Sequence, residues 1–186
     1  METQGLLLSR QLFPPITVVK HSVVDWETKK PLLLDLINNE ASLGWHECHT
    51  DYFTSYGRGP YFDKWYDIMK EDLDSVLPGF GLPFSSLDRW QLWSQKYEKG
   101  ERHGLHNHGF GSMSAILYVE FDPVEHTSTT FYPPFPDPFF GDIKSAVLPD
   151  IQEGDIIFFP AMLGHEAPPH YSDKIRTIMS FNIPVS

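Results

Sequence analysis

Tyr97-Glu98-Lys99-Gly100-Glu101-Arg102-His103-Gly104-Leu105-His106-Asn107-His108 is the stretch on which the reading of this chain turns. It gathers three histidines into one short segment, and a lone His165 and then Arg176 follow far downstream. In an extended strand, side chains two apart share a face. His106 and His108 therefore project together from one strand end, and Asn107 points away. Two imidazoles so placed can serve one metal ion, with a third ligand brought from elsewhere in the fold. His165 is the best candidate. It follows Glu153-Gly154-Asp155-Ile156-Ile157-Phe158-Phe159-Pro160, which reads as a turn, a buried strand and a second turn. Imidazole suits iron, zinc, copper and nickel, and three facial ligands leave further positions open.

Arg176 opens the run Arg-Thr-Ile-Met-Ser-Phe-Asn. If that run is a strand, Arg176, Ile178, Ser180 and Asn182 share one face. An inward-facing guanidinium requires an anionic partner, because burying it unpaired is costly. One of the 25 acidic residues is one possible source. A carboxylate held at the neighbouring metal, gripped by a bidentate fork, is the other, and the position of Arg176 after His165 favours it.

Outward from this segment, strands are expected at Trp90 to Tyr97, Ser112 to Phe121, Ser128 to Tyr132, Asp155 to Phe159 and Ile175 to Ile183, with a short one at Ile16 to Lys20. Upstream, the pattern predicts helices from about Thr28 to Asn38 and from Tyr61 to Leu77. Pro60 opens the second and Pro78-Gly79 stops it. Its stripe of Phe62, Trp65, Tyr66, Met69, Leu73, Val76 and Leu77 reads as a core face. Helices first and closely spaced strands afterwards give an α+β chain, with a helical support region over 1–85 bracing a jelly-roll core over 86–186 in a single domain. The loop Phe131-Tyr132-Pro133-Pro134-Phe135-Pro136-Asp137-Pro138-Phe139-Phe140-Gly141 reads either as a lid or as a cover over a sheet edge. Burial of its aromatics is expected.

Composition narrows the function classes. With a net charge of −11 and no basic stripe, the chain lacks the surface that binds nucleic acid. The single cysteine, Cys48, excludes an internal disulfide and suits a reducing cytoplasm. Leu6-Leu7-Leu8 is too short for a signal core or a membrane span and reads as a packing patch. Cys48 between His46 and His49 lacks a second ligand cluster and is read as coincidence.

In order, Tyr97, Gly100, His106, His108, His165 and Arg176 resemble the prolyl-4-hydroxylase-like branch of the Fe(II)- and 2-oxoglutarate-dependent oxygenases. Gly154-Asp155 with Phe159-Pro160 before the distal His165, and Arg176 with Ser180-Phe181-Asn182, are similar to an oxygenase family with members in marine bacteria and phages. The resemblance covers Trp90 to Asn182 and implies a cupin-like double-stranded β-helix. It implies Fe2+ on His106, His108 and His165, with 2-oxoglutarate held by Arg176 and Tyr97 and contacted by His103, Ser180 and Asn182. The implied chemistry is oxidative decarboxylation of 2-oxoglutarate with O2 and hydroxylation of a small-molecule or peptide substrate. His108 stands where most of the superfamily has Asp. That leaves open a three-histidine oxygenase independent of 2-oxoglutarate, or a nearby acid such as Glu120 or Glu166 completing the metal's sphere. A non-catalytic phage jelly-roll protein is the remaining alternative. Ligand histidines must be neutral, so metal affinity is expected to fall below about pH 6.5.

Overall fold

The β-branched and aromatic runs form strands wherever turn residues bound them. The computed structural model describes residues 15–38, 43–44 and 47–186. In chain order its elements are β1 (Val19–Ser22), α1 (Trp26–Asn38), β2 (Leu43–Gly44), β3 (His49–Thr50), α2 (Tyr52–Ser55), α3 (Phe62–Val76), β4 (Gln91–Tyr97), β5 (His103–His106), β6 (Ser112–Glu120), β7 (Thr130–Tyr132), β8 (Ala146–Val147), β9 (Asp155–Pro160), β10 (Gly164–Ala167) and β11 (Arg176–Pro184). The strands make two antiparallel sheets. One runs β1-β9-β6-β11-β4-β3-β2 and the other β5-β10-β7-β8.

Period-two alternation divides the core into two layers. From β6, β9 and β11, the side chains Leu117, Val119, Ile156, Phe158, Met179 and Phe181 face the helices. Their neighbours Ile116, Tyr118, Ile157, Phe159 and Ile178 pack in the other layer, between the two sheets. α3 closes the first layer with Phe62, Trp65, Met69 and Leu73, and the Trp65 ring lies 4.9 Å from that of Phe181. Each such buried side chain contributes about 1.5–3 kcal/mol. The helices thus brace one face of the large sheet, leaving the inter-sheet layer to hold chemistry.

Two buried carboxylates pin the upstream segments to this frame. Asp72 on α3 accepts hydrogen bonds from the Val24 amide at 2.9 Å and from Lys29 Nζ at 2.6 Å, and pairs with His21 at 2.8 Å. Asp51 accepts from the Tyr61 hydroxyl at 2.6 Å and from the Ser94 amide at 2.8 Å, tying α3 to β4. Gly154, at φ +86°, lets the Trp26 ring approach so closely that a Cβ there would sit 2.8 Å from it.

Differences from the sequence reading have local causes. The upstream strand expected at Ile16 to Lys20 forms slightly later, as β1, and two further short strands, β2 and β3, extend the large sheet on its other edge. The aromatic loop after β7 does not bury its rings: Phe135, Phe139 and Phe140 are 62%, 88% and 78% exposed. Its prolines hold it away from both sheets, and only Phe131, inside β7, reaches the core. Leu6-Leu7-Leu8 and His46 lie outside the described residues. Among the described residues, no helix is long and apolar enough to cross a membrane.

Candidate metal centre

β10 lies between β5 and β7, and its pairing with β5 sets His165 directly opposite His106. β5 ends at His106, so His108 lies just past the strand rather than on it. Its amide donates to the Ala161 carbonyl at 2.8 Å, which holds it beside the pair. His106, His108 and His165 form a candidate ligand cluster whose nitrogens all lie within 4.8 Å of one another. The register of β5 against β10 shifts between His165 and Ala167, placing one extra residue on β5. That bulge turns His103 to the same side as His106, and their rings stack at 4.0 Å.

Each of two candidate ligands is oriented by a backbone carbonyl. His106 Nδ1 meets the Gly104 carbonyl at 2.7 Å and His165 Nδ1 meets the Leu163 carbonyl at 2.9 Å. A carbonyl only accepts, so both Nδ1 atoms carry the proton and both Nε2 atoms present lone pairs. Burial, then the neighbouring imidazoles, lowers His165 to about 3 and His108 to about 4. Burial likewise lowers His106. All three are therefore neutral imidazoles at neutral pH, the form in which histidine binds metal. Phe159, 4.8 Å from the His165 ring, closes the site on the inter-sheet side.

Behind this cluster an inter-sheet cavity is lined by Trp93, Gln95, Tyr97, Ile178, Ser180 and Asn182 together with the histidines. Gln95 Nε2 donates to His103 Nδ1 at 2.8 Å, and its Oε1 accepts from the Ser180 hydroxyl at 3.0 Å. Asn182 is engaged by Ser114 and Gln91 at 2.6 and 3.0 Å. Ser180 and Asn182 thus line the cavity with their polar groups already paired. Tyr97 lies across from Arg176 in the β4–β11 register, and the guanidinium stacks over its ring at 4.2 Å. Arg176 is 2% exposed and donates to the Thr127 carbonyl at 2.8 Å. Its Nε and Nη2, and the Tyr97 hydroxyl, are buried with no hydrogen-bond partner. Such unmatched donors fit an anionic guest, and a dicarboxylate spanning metal and guanidinium has the required charge.

Residues 91–182, which hold all of these groups, match the family described as "Putative 2OG-Fe(II) oxygenase". This stretch belongs to the 2OG-Fe(II) oxygenases. The oxygenase fold extends beyond it. A non-heme alpha-ketoglutarate-dependent carbocyclase, SnoK of nogalamycin biosynthesis, superposes with TM-score 0.65 at 14% identity, covering 91% of this chain and 80% of that one. A Pseudomonas putida prolyl-4-hydroxylase gives 0.61 at 14%, covering 91% and 92%. HygX from Streptomyces hygroscopicus, solved with nickel, 2-oxoglutarate and hygromycin B, gives 0.64 at 12%, covering 91% and 83%. These likenesses establish the double-stranded β-helix. No curated protein matches the sequence.

Around one cavity the structure gathers His103, His106, His108, His165, Tyr97, Ser180 and Asn182, and it places Arg176 over the Tyr97 ring. Neither suggested acid joins the ligand cluster: Glu166 accepts from the Tyr132 hydroxyl at 2.6 Å, and Glu120 accepts from Thr177. The acid beside the histidines is instead Glu47, whose Oε2 accepts from the Gly104 amide at 3.0 Å. No sequence signal marks Glu47. Trp93 and Gln95 were legible in principle, since they alternate with period two from Tyr97 along β4.

Proposed function

We propose that the protein hydroxylates a small-molecule or peptidyl C–H bond, using Fe(II) on His106, His108 and His165 and 2-oxoglutarate against Arg176 and Tyr97. The observation that carries this reading is the pairing of three neutral imidazoles with a buried guanidinium whose Nε and Nη2 lack partners. The reaction is R–H + O2 + 2-oxoglutarate → R–OH + succinate + CO2, with one oxygen atom entering each of the first two products. Bound iron supplies the oxygen activation. The protein's own groups do the rest. The Gly104 and Leu163 carbonyls fix the tautomers of His106 and His165. Arg176 and Tyr97 offer their unpartnered donors to the co-substrate's far carboxylate. The Gln95–Ser180 link holds His103 against His106. Phe131 and Phe159 keep water from the His165 side. The buried free thiol of Cys48 is consistent with a reducing, cytoplasmic setting.

Anaerobic titration of the protein with Fe(II) and 2-oxoglutarate tests this directly. A weak visible charge-transfer band, followed on aeration by succinate, is the expected result. Neither band nor succinate under any condition would reject it. The all-histidine cluster keeps a second reading alive, an oxygenase in which Arg176 holds the substrate's own carboxylate. That reading expects oxygen uptake unchanged when 2-oxoglutarate is omitted.

A further inference from the structure

A second cavity, of about 180 Å³, opens on His103, His106 and His108 from the side away from β10 and β11. Its remaining wall is Cys48, Thr50, Tyr52 and Phe53 from the β3–α2 segment, with Trp93 and Gln95 from β4. We propose that this cavity is the substrate pocket and that it takes an uncharged, mainly apolar group about the size of a six-membered ring. The proposal rests on the oxygenase reading above.

Three features of the wall point to that guest. First, among the described residues no Asp, Glu, Lys or Arg lines it. A charged guest would lose its hydration with nothing to replace it. Second, the Thr50 and Gln95 polar groups on the wall are already engaged. The Thr50 hydroxyl donates to the Ser94 carbonyl at 2.8 Å, and both ends of the Gln95 amide are bonded. Burial pushes the Cys48 thiol up to about 11, so it is neutral. Third, the wall carries a continuous aromatic surface. Tyr52 meets Trp93 edge-on at 5.1 Å and Phe53 at 5.3 Å. Phe53, 49% exposed, marks the mouth.

Size and charge set the guest. An apolar cavity of about 150 Å³ accommodates benzene, so this one suits a six-membered ring with one or two substituents. Glu47, beside His103 and His106, repels an anion entering past them. The residues that build the wall at 48–53 precede the family-matching stretch 91–182. Part of the wall is thus carried by a segment outside the family-matching stretch, and Trp93, Gln95 and the histidines complete it from inside that stretch.

The test uses three probes that share a cyclohexyl ring, cyclohexanol, cyclohexylammonium and cyclohexanecarboxylate, with protein loaded with Mn(II) and 2-oxoglutarate. Binding is read by NMR, together with paramagnetic broadening of the ring protons. Cyclohexanol should bind about ten-fold or more tighter than either charged probe and be broadened by the ion, because only it enters without stranding a charge. Phe53→Ala should weaken cyclohexanol about three-fold or more by removing wall area, and Cys48→Phe should abolish its binding by filling the cavity. Because Cys48→Phe could instead unfold the chain, circular dichroism and 2-oxoglutarate titration accompany both variants, and the half-exposed Phe53 gives an independent reading. Equal or tighter binding of a charged probe, or cyclohexanol binding indifferent to Phe53→Ala, overturns the proposal while leaving the oxygenase reading intact. Failure of Mn(II) and 2-oxoglutarate to bind the wild-type protein removes the oxygenase reading itself, and with it the assignment of this cavity to a substrate.

Discussion

Replacing Arg176 with Met separates a guanidinium kept for a guest from one kept for the fold. The side chain is 2% exposed, donates once to the Thr127 carbonyl, stacks on Tyr97, and leaves Nε and Nη2 without partners. Removing two unsatisfied buried donors relieves about 1–3 kcal/mol each. Losing the charge-assisted bond to Thr127 and the cation–π contact gives back roughly 2–5 kcal/mol together. The two nearly cancel, so the ligand-free variant should lie within about 1 kcal/mol of wild type, a Tm shift of no more than about 4 °C for a chain of this size. Breaking a satisfied buried ion pair would instead destabilise by about 3–5 kcal/mol. For 2-oxoglutarate the balance differs, since its far carboxylate loses a charged bidentate partner worth about 2–4 kcal/mol, or roughly 30- to 1000-fold in Kd. Melting curves without ligand and anaerobic titrations with 2-oxoglutarate measure the two quantities on one protein sample. A variant that melts far below wild type yet binds 2-oxoglutarate normally would refute the reasoning and make Arg176 a structural residue.

Further outcomes follow from the same geometry. His165→Ala should abolish stoichiometric iron binding, because it removes the ligand opposite His106, and metal analysis after Fe(II) loading checks it. His108→Asp should retain iron and 2-oxoglutarate binding, since it restores the carboxylate common in the superfamily; loss of iron in that variant would mean that the position cannot accommodate the shorter ligand. Metal affinity should fall as pH drops, because protonation removes the ligand lone pairs, and burial, which lowers all three histidines, moves that fall below the range of free imidazole. Calorimetric titration with metal across the acidic range tests this. Asp72→Asn should cost about 3–5 kcal/mol in denaturant melts, because Lys29 and His21 lose a buried carboxylate. For Asp72 itself burial raises the carboxyl, but Lys29, His21 and the Val24 amide together outweigh that and hold it below the ordinary value. Its contribution is therefore complete above about pH 4, the unfolded value, and is lost as pH falls through the lower folded value.

The strands and helices were legible because their patterns are strong and their burial follows them. Met179 and Ile178 fall on opposite faces of β11 as period two requires, and Trp65, Met69 and Leu73 share the buried face of α3. The candidate ligand cluster was legible for a different reason: imidazoles are chemically conspicuous. The reason given for it was less complete. His108 lies beyond the end of β5 and is held through its amide by Ala161, a contact between distant segments that no spacing encodes. His103 reaches the cavity only because a bulge on β5 reverses its parity. The exposed rings of the loop after β7 defied a rule of thumb about aromatics, because four prolines constrain its backbone more strongly than its apolar surface can pull it inward.

The substitution of His for a carboxylate at position 108 raises a charge problem that the fold answers from an unexpected direction. Fe(II) and the 2-oxoglutarate dianion cancel, so with three neutral ligands the guanidinium of Arg176 leaves the loaded site with one uncompensated positive charge. An aspartate ligand would have removed it. A carboxylate stands instead on the peptide group next to the one that orients His106. Glu47 accepts from the Gly104 amide at 3.0 Å, and the carbonyl of that same residue accepts from His106 Nδ1 at 2.7 Å. The two hydrogen bonds sit on neighbouring peptide groups, so Glu47 brings negative charge close to the His106 imidazole without touching the carbonyl that orients it. Arg102, 3.9 Å from Glu47 and 60% exposed, screens this charge only weakly. The segment that carries Glu47 continues directly into Cys48, Thr50, Tyr52 and Phe53. One stretch upstream of residues 91–182 therefore supplies both a negative charge beside the histidine cluster and part of the wall of the second cavity.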